Sequence, residues 1–443
     1  MKRDTTARVC VIGAGPSGIT AAKNLLQAGI TNIVVYEKAD QVGGNWIYSP
    51  RLSHSSVFET THIISSKNMS QYLDYPMLDD YPDYPSHNQL LAYFQGYARH
   101  FGVEPYIQFN CEVKRAEKQP DDSWKITLAD GTVEAFDHLL VCSGHHWDPR
   151  MPDYPGQFSG ESLHSHDFKS AAPFKDKRVL VIGGGNSACD IAVETGRVSA
   201  FTAISMRRGY YIVPKFFMGK PTDVFFASSA FWPRPLRRLL GRILMSLTVG
   251  DLAQYGLQRP SGSPLDSHPT VNSELLYFVR HGKIHPRRDI QRLDGRQVHF
   301  VDGKVEEYDT VIAATGFNIT FPFFDRSLVD FSGDVPLYLR MFHPDLPSLI
   351  FIGLFQPQGA IWPLCDLQSK LAANYIAGRY DLPADMRQQI AAEVALIRAR
   401  YLNTPRHNTE IEYHPLERAL QRAIPADAPG WGEKQPNRES VNV

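Results

Sequence analysis

Gly13-Ala14-Gly15-Pro16-Ser17-Gly18 lies between an apolar run ending at Ile12 and a helical pattern from Ile19 to Ala28, and its spacing is GxGxxG. In that setting the first glycine makes a tight turn, the second lets a pyrophosphate approach the backbone, and the third lets helix pack on strand. The helix N-terminus then faces the phosphates. A second strand, Asn32 to Glu37, follows Gly29, so residues 8–37 are predicted to form a right-handed βαβ unit with parallel strands. Glu37 closes that strand 19 positions after Gly18. A carboxylate there accepts hydrogen bonds from both hydroxyls of a ribose.

The plan recurs. Arg178 to Ile182 reads as a strand, Gly183-Gly184-Gly185-Asn186-Ser187-Ala188 as a turn, Ser187 to Arg197 as a helix and Phe201 to Met206 as the next strand. Alanine in the third slot still permits close packing. Here the residue 19 positions on from Ala188 is Arg207, a base where the first unit has an acid. A carboxylate would repel a 2′-phosphate, whereas Arg207, supported by Arg208 and Ser205, offers charge-assisted donors to it. The first turn is therefore assigned FAD and the second a reduced nicotinamide, with NADPH favoured over NADH; the plain alternative for Arg207-Arg208 is a solvated pair at a strand end. Gly43, Gly44, Asn45 and Trp46 follow the first unit closely. Paired glycines beside a large aromatic suit a loop against an isoalloxazine or its ribityl chain, and Trp46 serves equally well as a core residue.

The elements around these turns repeat as well. Residues 126–134 form an Asp-Gly hairpin leading into Leu139 to Gly144, and residues 298–306 form another leading into Val311 to Gly316. Each buried strand ends in a small residue and glycine, as a backbone passing close to a dinucleotide requires. The expected fold is α/β with two Rossmann-like dinucleotide-binding domains, the NADPH domain (158–300) inserted into the FAD domain (1–157 and 301–443). A length of 443 residues with 43% hydrophobic content is enough for two cores.

A formal charge of -1 gives no reason to expect nucleic acid as a partner. The five cysteines, Cys10, Cys111, Cys142, Cys189 and Cys365, make no CxxC pair, disulfide framework or zinc site. That pattern argues against a disulfide reductase and, with no signal peptide and no long uncharged run, for a cytoplasmic protein without an integral membrane span. Trp232 to Val249 reads as an amphipathic basic helix, with Leu236, Leu239, Leu240, Ile243, Leu244 and Leu247 on one side. Weak association with a membrane surface, packing on the NADPH module and a homodimer contact are its alternatives.

Phe158-Ser159-Gly160-Glu161-Ser162-Leu163-His164-Ser165-His166-Asp167-Phe168-Lys169 resembles the fingerprint FxGxxxHxxxF/Y, then Lys, of the flavin-containing monooxygenases. Baeyer-Villiger monooxygenases carry a similar fingerprint ending in Trp and then Pro or Asp, so Phe168-Lys169 points to the branch that oxidises heteroatoms. The resemblance continues through Val141-Cys142-Ser143-Gly144-His145-His146, His268-Pro269-Thr270-Val271-Asn272, Ala314-Thr315-Gly316-Phe317 and Phe351 to Pro357, where Gln356 joins the expected FAD contacts. It implies that NADPH reduces FAD, that O2 adds to give a flavin C4a-hydroperoxide, and that a small molecule with a soft sulfur or nitrogen takes the distal oxygen. His164 and Phe168 are expected to hold the linker and domain interface rather than to touch substrate.

One departure matters. The family commonly places an asparagine before its Thr/Ser-Ser-Lys element, near flavin C4a, and aligning Ser65-Ser66-Lys67 puts Ile64 there. An apolar side chain cannot donate that hydrogen bond, so Ser65, Ser66 or a backbone group has to compensate. Baeyer-Villiger oxygenation of ketones, an NADPH oxidase releasing peroxide, and a flavin-binding regulatory protein are the competing readings. From Ile64, more hydrogen peroxide per NADPH is expected than a typical member releases; peroxide assays showing tight coupling with a good substrate would refute this.

Overall fold

The computed structural model describes residues 5–227, 232–261, 270–400 and 409–429. The chain divides into two compact units. One holds residues 1–47, 65–145 and 319–443, the other residues 48–64 and 146–318.

In the first unit, five parallel strands lie in the order Leu349–Phe351, His138–Val141, Val9–Ile12, Ile33–Tyr36, Ile107–Gln108, with Val9 opposite both Ile33 and His138. Their runs are apolar at nearly every position because helices and loops cover both faces of such a sheet. Helix Pro16–Gln27 starts with proline at its first position, where the missing N–H costs nothing. It packs along helix Trp362–Ile376. Between them Lys23, only 1% exposed, donates to Asp366 Oδ1 at 2.8 Å and to Asp74 Oδ2 at 2.6 Å, and Thr20 Oγ1 donates to Asp366 at 2.7 Å. A buried ammonium is tolerable only with such partners. This network fixes the helix whose first turn is the glycine loop.

In the second unit the parallel order is Glu161–His164, Thr310–Ala313, Arg178–Ile182, Phe201–Ser205, Ile284–Arg287. Helix Asn186–Val198 follows the glycine turn. The two units repeat one another down to single hydrogen bonds. In each, three antiparallel strands feed the strand that returns beside the central one: Val113–Lys118, Trp124–Leu128 and Val133–Phe136 in the first, Ile290–Gly295, Gln297–Phe300 and Val305–Glu307 in the second. Arg8 N–H donates to Asp137 Oδ2 at 2.6 Å and Arg178 N–H to Asp309 Oδ2 at 2.7 Å. Asp137 N–H and Asp309 N–H donate back to the Arg8 and Arg178 carbonyls, both at 2.8 Å.

The compact units differ from the expected domain limits in three respects. Strand Thr310–Ala313 pairs with Arg178–Ile182, so a boundary at 300/301 falls inside a repeated element, and the second unit runs on to residue 318. It also begins at residue 146 rather than 158, and it takes in residues 48–64, an excursion no periodicity announces. The basic helix spans Arg234–Thr248, with Leu236, Leu239, Ile243 and Leu247 exposed, so this apolar stripe is not buried among the described residues. No described helix is long and apolar enough to cross a membrane.

A Cβ at Gly18 would lie 1.8 Å from the Gly13 carbonyl oxygen, whereas the equivalent second-turn residue, Ala188, already carries one. Gly18→Ala is expected to destabilise the first unit by about 3 kcal/mol, seen as a fall in Tm of roughly 5–10 °C together with lower flavin content. An unchanged Tm would mean that the turn opens without strain.

Candidate dinucleotide sites

Gly13 has φ +103°, and a Cβ there would stand 2.9 Å from the Cys142 carbonyl oxygen. The strand ending at Val141 therefore passes directly over the turn, and only glycine fits beneath it. Gly44, at φ +56°, brings its backbone so close to Gly15 that a Cβ on it would lie 2.9 Å from Gly15 Cα. Three glycine backbones thus form a cradle without side chains. Pro16 and Ser17 open the helix above it, and a Cβ on Gly353 would come within 2.7 Å of Ser17 Oγ. Glu37 is buried, and its carboxylate accepts the Ala14 N–H at 2.6 Å and the Ala39 N–H at 2.8 Å. Each oxygen keeps lone pairs for a further donor. A backbone cradle with a fixed carboxylate at the strand end fits the pyrophosphate and ribose of FAD.

Trp46 ends the short turn Gly44–Trp46 and sits edge-on to Trp362, with ring centroids 5.7 Å apart; Trp362 packs in turn on Phe94 at 4.7 Å. Asn45 is exposed. Gln356 begins strand Gln356–Gln358, which pairs in parallel with Glu410–Glu412. Ile64 is half-buried and is the last residue of the excursion, while Ser65 is the first residue after it. The Ser65 hydroxyl is 2.8 Å from that of Ser70, and Ser66 is buried.

The second turn has the same build. Gly183, at φ +136°, would place a Cβ 2.4 Å from the Ala314 carbonyl oxygen, and one on Gly184 would clash with the Tyr210 ring at 2.2 Å. Gly185 caps the helix that Asn186, Ser187 and Ala188 open. The Val271 N–H donates to Asn186 Oδ1 and Thr270 Oγ1 to the Gly184 carbonyl, both at 2.7 Å, and Asn272 Nδ2 donates to Asp190 at 2.7 Å. The motif read from His268 to Asn272 thus braces the turn; His268 and Pro269 lie outside the described residues.

Beyond the strand end Arg207 is exposed, and the Arg208 guanidinium stands 5.2 Å from the Tyr210 ring centre. Ser205 does not join them. It is 1% exposed and donates its hydroxyl to the Arg288 carbonyl at 2.7 Å, because strand residues alternate faces and its side chain turns toward the neighbouring strand end. At the neighbouring strand end stands a cation that the sequence reading did not single out. Arg288 is exposed and follows Arg287, which lies opposite Ser205 in the sheet. Arg287 is spent on Glu306, at 2.6 and 2.7 Å. Two arginine doublets, Arg207-Arg208 and Arg287-Arg288, closing adjacent parallel strands were the available signal.

The fingerprint also has a physical basis. A Cβ on Gly160 would meet the Asp309 carbonyl oxygen at 2.6 Å and the Phe158 ring at 2.7 Å, so the strand carrying it can dock only with glycine there. His164 is buried, accepts the His166 N–H at Nδ1 (3.1 Å) and packs edge-on to Phe317 at 5.1 Å. Burial holds its imidazole below the ordinary histidine pKa.

Two parallel sheets with matching glycine turns, one ending in a carboxylate and the other in arginines, define an oxidoreductase scaffold for two dinucleotides. The sequence matches the flavin-binding monooxygenase-like family over residues 6–426, and the chain belongs to that family. It is 35% identical over 436 residues to flavin-containing monooxygenase 5 of Rattus norvegicus, covering 92% of this chain and 80% of the relative. It is 34% identical over 400 residues to dimethylaniline monooxygenase [N-oxide-forming] 2 of Oryctolagus cuniculus, covering 85% and 74%. Among solved structures, S-allyl-L-cysteine S-oxygenase from Allium sativum superposes with a TM-score of 0.72 at 25% identity over 95% of this chain and 88% of that one. Cyclohexanone monooxygenase shares the fold, with a TM-score of 0.68 at 17% identity over 95% and 98%. The protein is an FAD-containing, NADPH-dependent monooxygenase.

With its pKa lowered in the fold, His164 stays neutral while the unfolded chain takes up a proton as pH falls through about 6.5. Stability contributed by the neutral ring is therefore present above that pH and lost below it. The Tm gap between the native protein and His164→Gln is expected to narrow from pH 8 to pH 5. A gap that stays constant would show that His164 does not titrate differently in the two states.

Proposed function

We propose that FAD lies on the turn Gly13–Gly18 with its adenosine ribose on Glu37, and that NADPH lies on the turn Gly183–Ala188 with its 2′-phosphate on Arg207 and Arg208. The observation that carries this is the opposite charge at one offset on two turns of similar build. Bound there, FAD supplies the chemistry that activates O2 and NADPH supplies the hydride. The chain's own residues hold both dinucleotides through backbone cradles, exclude water and fix their orientation.

The substrate is a small molecule with a nucleophilic sulfur or nitrogen. The N-oxide-forming rabbit relative and the garlic S-oxygenase support this reading, as does Phe168-Lys169 in place of the Baeyer-Villiger ending. The likeness to cyclohexanone monooxygenase bears on fold alone. Cysteines that are all free favour the cytoplasm as its compartment, and the exposed leucines of Arg234–Thr248 support weak association with a surface.

Two measurements test this. The purified yellow protein should bleach with NADPH, regain colour in air and place labelled oxygen from O2 in a thioether or tertiary amine; label recovered only in peroxide would leave an oxidase. Arg207→Ala removes a charge-assisted contact worth about 1.5–3 kcal/mol, so the KM for NADPH should rise at least tenfold, roughly, while that for NADH barely moves. Equal effects on both would take Arg207 away from the 2′-phosphate.

A further inference from the structure

Between its first two glycines the first turn has Ala14, and the second has Gly184. Gly184 lacks the left-handed backbone that favours glycine, so conformation does not explain it. A neighbouring side chain does. The Tyr210 ring lies so close that a Cβ on Gly184 would meet it at 2.2 Å. Gly184 is buried there, and Thr270 Oγ1 donates to its carbonyl at 2.7 Å. The chain around this ring is held on both sides. Gln258 Nε2 donates to the Met206 carbonyl at 2.7 Å, and a Cβ on Gly209 would stand 2.3 Å from the Arg259 carbonyl oxygen. Ile212–Val213 pairs in parallel with Thr270–Val271, the strand that braces the turn. Every residue of this group belongs to the second unit.

Half-buried Tyr210 packs on the second unit's core, and the Arg208 guanidinium lies over its ring, 5.2 Å from the centre. A cation at that distance is attracted by the ring, which restricts a side chain otherwise rich in rotamers. We infer that Tyr210 is a positioning residue for the second dinucleotide: its ring, seated on Gly184, holds Arg208 in place to receive the 2′-phosphate. The inference deepens the assignment of NADPH to this turn and rests on it. An arginine ordered before its ligand arrives loses less freedom on binding, so the ring favours the 2′-phosphorylated cofactor over its unphosphorylated form. Gly184 is then the partner this tyrosine requires, because any side chain at that position would push the ring away.

Calorimetric titration of the FAD-loaded full chain with NADP+ and with NAD+ reads this without turnover. Tyr210→Leu keeps an apolar side chain on the turn but has no ring, so the ratio of the NAD+ to the NADP+ dissociation constant should fall about fivefold. Tyr210→Phe retains the ring and should keep the ratio. Gly184→Ala, which displaces the ring, should lower the ratio in the same direction and serves if Tyr210→Leu does not fold. An unchanged ratio in Tyr210→Leu, or an equal fall in Tyr210→Phe, would overturn the role of the ring. Arg207→Ala separates this result from the assignment beneath it. A ratio that survives Arg207→Ala would overturn the 2′-phosphate reading and the inference with it. A fall there with none in Tyr210→Leu would leave the assignment standing and remove Tyr210 alone.

Discussion

The architecture depends on one steric constraint, met twice. At the C-terminal end of each central strand the chain must turn into a helix directly beneath the carbonyl of a neighbouring strand: Cys142 over Gly13 and Ala314 over Gly183. A Cβ would collide in either place. Leaving it out lets the backbone itself line the cradle, and it requires the returning strand to be registered to the residue. The Asp137 and Asp309 carboxylates supply that register by catching the Arg8 amide just before one central strand and the Arg178 amide that opens the other. Much of the remaining structure keeps these two crossings rigid. The buried Lys23 and Asp366 lock one helix, and Asn186 and Thr270 lock the other turn.

Identical scaffolds leave specificity to what stands at the strand ends. Glu37 is buried, held by two backbone amides and poor company for an added phosphate. Arg207, Arg208 and Arg288 are solvent-facing or partly so and positively charged. An exposed arginine is worth little in water until a phosphate brings a bidentate partner to it, so on the proposed assignment discrimination would arise when the cofactor binds.

Local pattern made most of this legible. Glycine spacing, apolar runs and the acid or base 19 positions on place both βαβ units; the strand read as Arg178 to Ile182 agrees residue for residue, and the helix read as Ser187 to Arg197 differs by one residue at each end. The Asp-Gly hairpins are both present. What stayed hidden was non-local. The second unit's true limits depend on which strands pair, and an apolar strand such as Thr310–Ala313 looks the same whichever sheet receives it. The role of residues 48–64 turns on contacts with residues more than a hundred positions away, such as Ser55 with Lys169. Ser205 misled because its alternation along the strand sets its direction, while its partner, the Arg288 carbonyl, is no property of the motif.

The interleaving of the two units also orders the birth of the protein on the ribosome. By residue 318 the second unit has all of its strands, and its core already contains Phe58. The first unit at that moment lacks its outer strand Leu349–Phe351 and helix Trp362–Ile376, so Lys23 has no Asp366 and its helix has no floor. The segment made first is therefore finished last. The inserted unit has its strands while the helix behind the N-terminal glycine turn still awaits helix Trp362–Ile376, whose Asp366 neutralises Lys23.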